Sequence, residues 1–83
     1  MYTVYILQSS TGKHYVGYTS NLADRLRHHN SGASKSTRPY RPWKIVYTER
    51  YSDKASAWRR ERQIKSYRGG AAFKKLLTDG GVA

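Results

Sequence analysis

The chain has 83 residues, with 16 Lys and Arg against five Asp and Glu, a formal net charge of +11 at pH 7 and no cysteine. This length predicts one small domain, and the lack of cysteine excludes disulfides and thiolate metal sites. No apolar run approaches the roughly 18 residues of a membrane span, and the start MYTVYIL is unlike a signal peptide, so we expect a cytoplasmic protein. The charge favours a nucleic-acid partner. An acidic membrane, an acidic protein partner or solubility alone are the alternatives.

The first two elements are predicted to be β-strands that form a hairpin. Residues 2–7, YTVYIL, are β-branched, aromatic and aliphatic, and residues 14–19, HYVGYT, resume this pattern after the turn-forming QSSTGK. A hairpin centred near Ser10 would place Tyr5 directly opposite Tyr15, on the same face of the sheet.

An amphipathic helix is predicted next, over the segment LADRLRHHN. Three candidate N-caps precede it: Thr19, Ser20 and Asn21. The core-facing stripe, at positions i, i+4 and i+7, consists of Leu22, Leu26 and His29. Arg25 lies at the edge of this stripe, and residues 30–32 end the helix.

A polar loop, GASKSTRPYRP at residues 32–42, follows this helix, and we call it the cationic loop. Pro39 and Pro42 exclude a helix there. Lys35, Arg38 and Arg41 are candidates for contact with a nucleic-acid backbone, and ordinary solvated surface is the alternative for each.

The second half of the chain predicts a strand followed by two helices. Residues 43–50, WKIVYTER, form the strand, with three side chains on one face: Trp43, Ile45 and Tyr47. Ser52 caps the second helix, DKASAWRRERQIKSYR, which Gly69 and Gly70 close. Its inward side is predicted to consist of Ala57, Trp58, Ile64 and the stem of Lys65. The segment AAFKKLL forms a short third helix, residues 1–78 form the domain, and residues 79–83 form a disordered tail.

Glu61 is the most informative acidic residue. It lies in the middle of the inward side of the second helix, whereas the outer positions are assigned to Arg59, Arg60 and Arg62. A carboxylate there is costly to bury without a partner. It either pairs with Lys65 or a neighbouring arginine, or holds a hard divalent cation whose other ligands are waters and phosphate oxygens.

Tyr5 and Tyr15 are either ordinary aromatic residues of the sheet or groups that take part in catalysis. A catalytic base would need a phenol pKa lowered from about 10, which a nearby arginine and a metal favour. His29 is either a packing histidine or the acceptor of the phenolic proton. Gly17 either lets a phosphate approach the backbone or marks a bulge.

The ordered set T-V-Y at 3–5, Y-V-G at 15–17, Arg25 in the next helix and Glu61 in RRERQIK resembles the GIY-YIG nuclease domain, over residues 1–67. The chain is most similar to the small stand-alone bacterial members, and the family includes modules of DNA-repair nucleases. The resemblance implies an α/β (α+β) domain with a three-stranded antiparallel sheet flanked by helices, in the order β-β-α-β-α-(α). It also implies metal-dependent hydrolysis of a phosphodiester, in DNA or also in RNA.

The resemblance assigns roles to five residues by position: Tyr5, Tyr15, Arg25, His29 and Glu61. One tyrosine would act as general base and the other would fix the water or the phosphate. Arg25 would neutralise the scissile phosphate, and His29 would relay a proton. Glu61 would be the sole protein ligand of Mg²⁺ or Mn²⁺.

The chain departs from the family pattern at two positions. Thr3 replaces the first glycine of the motif, and Phe73 lies near the position of an asparagine that several members carry. Lys65 could take over the role of that asparagine in phosphate binding. The residues expected to contact nucleic acid are Gly17, Lys35, Arg38, Arg41, Arg59, Arg60, Arg62 and Lys65. A nucleic-acid-binding module that does not cut, or a structural basic protein, are the alternative functions.

Overall fold

A computed structural model describes residues 1–79 of the chain. The elements, in chain order, are β1 (Tyr2–Ser9), β2 (His14–Thr19), α1 (Leu22–Ser31), β3 (Trp43–Tyr51), α2 (Lys54–Ser66) and α3 (Ala71–Asp79). This confirms the predicted α+β class and order. The first residue of the predicted disordered tail, Asp79, is the last residue of α3. The other residues of that tail, 80–83, lie outside the described residues.

The sheet is antiparallel, in the order β2-β1-β3, with β1 in the centre. A central strand is covered on both faces, which explains why the apolar run of β1 does not alternate with polar residues. Val4 and Ile6 pack toward α2 and α3, and Tyr5 and Leu7 pack toward α1. All four side chains are buried. Tyr5 therefore lies inside a core and not on an exposed sheet.

The hairpin register differs from the predicted one. Tyr5 pairs with Gly17 and Leu7 pairs with Tyr15, so the two tyrosines are diagonal neighbours and not directly opposite. The turn is centred one residue further along, and Gly12 adopts a left-handed φ of 89° in it. This moves the pairing by two residues, and since side chains alternate with period two, the tyrosines still share one face.

The predicted face of β3 is wrong for Tyr47. Ile6 pairs with Tyr47, but Leu7 pairs with Ile45, so Val46 is an extra residue on β3. This β-bulge shifts the alternation by one residue. Trp43 and Ile45 therefore pack on the α1 side, whereas Tyr47 packs with Ile6 on the other side.

The ends of the helices follow the expected capping chemistry, with one shift. Asn21 is the N-cap of α1, where its side chain accepts a hydrogen bond from the Asp24 amide, and Gly32 is the left-handed C-cap. Asp53, and not Ser52, caps α2, because its carboxylate accepts from the Ser56 amide at 2.8 Å.

Two outward and inward assignments on α2 are wrong. Trp58 is 46% exposed, and the Arg62 guanidinium lies over its ring at 5.1 Å from the centroid. Arg60 points inward and forms an ion pair with Glu49. The buried side of α2 is centred on positions 57, 60, 61 and 64, which is the i, i+3, i+4, i+7 pattern, and Lys65 is exposed at its edge.

The cationic loop contains a 3₁₀ turn at Arg38–Tyr40, although its prolines exclude an α-helix. Pro39 occupies an early position of this turn, where the missing amide hydrogen is not needed. Within residues 1–79, no helix combines the length and the apolar character that crossing a membrane requires.

Candidate active site

An open cleft of about 430 Å³ at the β2 edge of the sheet brings together Tyr5, Tyr15, Arg25 and Glu61. These side chains come from four different elements: β1, β2, α1 and α2. They are separated by up to 56 positions in the sequence, so only the tertiary fold brings them to one place. The cleft thus contains four of the five residues that were assigned catalytic roles. His29 lies behind it.

Gly17 makes room for the hydroxyl of Tyr5. A Cβ atom at position 17 would lie 2.6 Å from the Tyr5 oxygen and 2.8 Å from Cζ of that ring. Because Tyr5 is buried, its ring cannot move away freely. The pairing of β1 and β2 is regular through Gly17, so the glycine does not mark a bulge. Its expected contact with a phosphate stays a prediction.

The three rings of Tyr5, Tyr15 and His29 form one cluster. The Tyr5 and Tyr15 rings are stacked with centroids 6.3 Å apart, and the centroids of Tyr15 and His29 are 4.6 Å apart. The Tyr5 hydroxyl lies 3.3 Å from Nε2 of His29, within hydrogen-bonding distance. The structure therefore brings the predicted proton acceptor to the phenol.

The protein groups around this cluster do not lower the pKa of its buried phenol. Burial raises the pKa of Tyr5 well above its usual value, the nearby phenol of Tyr15 and carboxylate of Glu61 also raise it, and Arg25 offsets only part of this. A tyrosinate base would need a lowered phenol pKa, and the protein groups around Tyr5 do not supply it. Burial, followed by the charges of Arg25 and His28, lowers the pKa of His29. Tyr5 and His29 are thus both uncharged at neutral pH.

Thr37 completes this buried chain of hydrogen-bonding groups. Its hydroxyl lies 3.0 Å from Nδ1 of His29, and its backbone carbonyl accepts a hydrogen bond from the Trp43 indole at 2.9 Å. The residue is 1% exposed, although the rest of the cationic loop is largely exposed. The sequence gives no sign of this role, since a threonine among Ser, Lys and Arg is typical of a solvated loop.

Glu61 has few partners for a largely buried carboxylate. Its side chain is 13% exposed, and Lys65 Nζ, at 3.3 Å, belongs to a half-exposed side chain. Among the described residues, no three His, Cys, Asp or Glu side chains cluster as metal ligands. The oxygens that line the cleft are the Glu61 carboxylate and the hydroxyls of tyrosine, serine and threonine. A single carboxylate among oxygen donors fits a hard cation such as Mg²⁺ or Mn²⁺, with waters and phosphate oxygens as further ligands.

The residues expected to bind nucleic acid fall into three places. Gly17 lines the cleft, and Lys65 lies beside it, where its ammonium pairs with Glu61. Lys35, Arg38 and Arg41 surround a separate open pocket on the cationic loop. The three arginines of α2 complete the set: Arg59 and Arg62 are exposed, whereas Arg60 points inward and pairs with Glu49. Lys54 also lines the cleft, and sequence reasoning missed it because it lies in the first turn of α2, far from the motif residues.

The fold and the cleft place the chain in a known class of small α+β domains. The chain belongs to the GIY-YIG family, because the family profile described as the GIY-YIG catalytic domain matches residues 1–71. This confirms the resemblance of the two tripeptide motifs and of the residues that follow them.

The chain is similar to small proteins designated UPF0213. It is 42% identical over 65 residues to a UPF0213 protein of Staphylococcus haemolyticus, covering 77% of this chain and 79% of the relative. It is 39% identical over 66 residues to one of Halobacterium salinarum, covering 78% and 86%. The solution NMR structure of a UPF0213 protein from Bacillus halodurans covers 96% of this chain and 87% of that chain. Its TM-score is 0.60 at 32% identity.

Proposed function

We propose that this protein is a divalent-metal-dependent endonuclease that hydrolyses phosphodiester bonds in DNA, with RNA as a further substrate. The observation that carries the proposal is the convergence of Tyr5, Tyr15, Arg25 and Glu61 on one open cleft. Two phenols, a guanidinium and a carboxylate supply the groups that water activation, phosphate neutralisation and cation binding require. Membership of the GIY-YIG family supports the same conclusion.

Arg25 and Glu61 act on the charge of the phosphate. Arg25 is exposed at the mouth of the cleft, where its guanidinium would bind the scissile phosphate and stabilise the charge that builds up in the transition state. Glu61 would hold Mg²⁺ or Mn²⁺. When bound, such a cation supplies Lewis-acid stabilisation of the phosphate and lowers the pKa of a bound water.

Tyr5 acts as a neutral proton relay in this proposal. Because its pKa is raised, it does not rest as a tyrosinate. The attacking water gives its proton to the Tyr5 oxygen as the new O–P bond forms, and the Tyr5 hydroxyl gives its own proton to Nε2 of His29, 3.3 Å away. The bond from phosphorus to the leaving oxygen breaks in the same displacement, and the leaving oxygen takes up a proton from the solvent in the open cleft. Tyr15, which lines the cleft beside Tyr5, fixes the water or the phosphate.

The positive surface supports binding to a polyanion. The formal charge of +11 attracts a polyanion. The contacts with backbone phosphates would come from exposed side chains, namely those of Lys35, Arg38, Arg41, Arg59 and Arg62. Such contacts release counterions, so affinity should fall steeply with salt. They carry little sequence information, and we infer that the substrate is selected by its shape.

The proposal is tested by a cleavage panel of single-stranded, flapped, branched and duplex DNA with Mg²⁺, Mn²⁺ or chelator. We expect cleavage only with metal. Arg25→Ala should lower kcat by about 10²- to 10³-fold, as loss of a transition-state charge contact does. Arg27→Ala is the matched control, because Arg27 lies on the same helix, pairs with Asp24 and is 74% exposed.

Three outcomes would contradict the proposal. Cleavage that persists in chelator would exclude a metal-dependent reaction. Equal rates for Arg25→Ala and Arg27→Ala would remove Arg25 from the mechanism. Salt-sensitive binding to every substrate without cleavage of any would identify the protein as a nucleic-acid-binding module that does not cut.

A further inference from the structure

Thr37 differs from the rest of the cationic loop in its burial and its contacts. Lys35, Arg38 and Arg41 are exposed, whereas Thr37 is 1% exposed. Among the described residues, the hydrogen-bond partner of its hydroxyl is Nδ1 of His29, at 3.0 Å. A buried hydroxyl that is directed at a ring nitrogen behind a catalytic cleft is not explained by the needs of a solvated loop.

The backbone holds this hydroxyl in a fixed place. The Thr37 carbonyl accepts hydrogen bonds from the Trp43 indole at 2.9 Å and from the Tyr40 amide at 3.1 Å. Trp43 is itself fixed, because the Asn30 side chain bonds to both its amide and its carbonyl, at 2.6 and 3.1 Å. Supporting contacts of this kind limit how far a positioning group can move.

A neutral imidazole carries a hydrogen on only one of its two nitrogens. If Nε2 of His29 is to accept the proton of Tyr5, that nitrogen must present a lone pair, and the hydrogen must be on Nδ1. The group that faces Nδ1 is the Thr37 hydroxyl, which can accept a hydrogen bond from it.

We propose that Thr37 is a positioning residue that holds His29 as the Nδ1–H tautomer, so that Nε2 faces the Tyr5 hydroxyl as an acceptor. This inference rests on the proposed nuclease function. In this arrangement the Tyr5 hydroxyl is the proton donor, His29 is the base that it contacts, and Thr37 is the third group, which orients the base.

Thr37 is a neutral orienting group, and this matters because of the charges around His29. Arg25 and His28, both on α1, face the imidazole and disfavour its protonation, and Tyr5 and Tyr15 face it from β1 and β2. The imidazolium would therefore exist only during the reaction, when the Nδ1–H bond to Thr37 stabilises it. Because Thr37 belongs to the cationic loop, the segment expected to bind the DNA backbone also orients the proton acceptor.

The test compares the parent with Thr37→Val and Thr37→Ser. Proton and nitrogen NMR of the labelled histidine rings reports the tautomer of His29 without any need for activity. We expect the Nδ1–H form in the parent and in Thr37→Ser, and its loss in Thr37→Val. Cleavage by Thr37→Val should show kcat lowered by about 10- to 100-fold with KM for DNA unchanged, and Thr37→Ser should retain most of the parent rate.

An Nε2–H tautomer in the parent would overturn the inference, as would a Thr37→Val enzyme with the parent kcat. If the parent cleaves nothing, the nuclease proposal fails, but the NMR spectrum still decides whether Thr37 sets the tautomer. If Thr37→Val does not fold, the spectra of the parent and Thr37→Ser decide, because the hydroxyl that they share must give the same tautomer.

Discussion

Glu49 and Glu61 are two largely buried glutamates that the fold treats in opposite ways. Their side chains are 19% and 13% exposed. The Glu49 carboxylate accepts two hydrogen bonds from Arg60, both at 2.8 Å, and one each from the hydroxyls of Tyr47 and Tyr51. Glu61, one residue after Arg60, faces the cleft, and the ammonium of its ion-pair partner Lys65 is 3.3 Å away.

The contrast separates a structural carboxylate from a functional one. Burial alone would raise the pKa of Glu49, but the hydrogen bonds from Arg60, Tyr47 and Tyr51 hold it below its usual value. Tyr47 is one of the donors to Glu49, and burial together with this hydrogen bond raises its pKa to about 12. Glu49 thus has its donors within the protein, whereas the Glu61 carboxylate, which pairs with Lys65, is the one that we propose to bind a cation. Burial does not distinguish the two residues, and saturation with donors does.

The largest expected effect is on cleavage, and it is measured by replacing each of these two glutamates separately with glutamine. If Glu61 holds the cation as we propose, Glu61→Gln should lower metal-dependent cleavage by on the order of 10³-fold. The free energy of unfolding should change little, because the ion-pair partner of Glu61 is the half-exposed Lys65. Cleavage of the panel substrates under Mg²⁺ and urea unfolding measure the two properties. A Glu61→Gln variant that cuts as fast as the parent would remove the carboxylate from the reaction.

Glu49→Gln is the matched variant, and its expected effect is the reverse. It leaves the Arg60 guanidinium half-buried without its charge partner, and we expect it to lower the free energy of unfolding by about 2–3 kcal/mol. At temperatures where it stays folded, it should cleave at a rate near that of the parent. Loss of cleavage with unchanged stability in Glu49→Gln would erase the distinction between the two carboxylates.

Much of the fold could be predicted because the relevant interactions are local. The apolar run of β1, the capping residues of α1 and the stripe of Leu22, Leu26 and His29 are properties of short windows, and the structure confirms them. The cleft residues were predictable through the order of the motifs, which the family profile also detects.

The rest depended on contacts between distant segments. The bulge at Val46 cannot be read from an alternating strand, since the inserted residue is as apolar as its neighbours. Arg59 and Arg60 differ by one helical position, and only the presence of Glu49 opposite makes Arg60 the inward one. Thr37 is buried because the cationic loop folds back onto His29, which no local pattern indicates.

The acid dependence of stability offers a smaller test of the same contrast. Because the folded pKa of Glu49 is lowered, its stabilising contribution is present above the unfolded value of 4.5 and is lost as the pH falls through the folded pKa. We therefore expect the difference in stability between the parent and Glu49→Gln to narrow from pH 7 to pH 3. Urea midpoints at both values measure it. Asp53, whose pKa is also lowered by its hydrogen bonds to Ser56, is present in both proteins and cancels in the comparison.

An equal gap at both pH values would mean that Glu49 is held by its geometry and not by its charge. In that case the tyrosine hydroxyls, and not the ion pair with Arg60, would carry the contribution of the cluster to stability.

The smallest effect should come from Lys65, which supplies the weak pairing of Glu61. Lys65 is 53% exposed, so the ion pair is screened by solvent, and Lys65→Ala should change stability by no more than about 0.5 kcal/mol. The Lys65 ammonium pairs with the same carboxylate that we propose as the ligand of the cation, so the two positive charges compete for it. Removal of the ammonium should therefore lower the Mg²⁺ concentration for half-maximal cleavage by about threefold. Lys54→Ala is the control, because it removes one positive charge from the lining of the cleft without touching the pair of Lys65 and Glu61. If Lys65 instead binds phosphate, as the sequence suggested, KM for DNA will rise while the Mg²⁺ requirement stays the same.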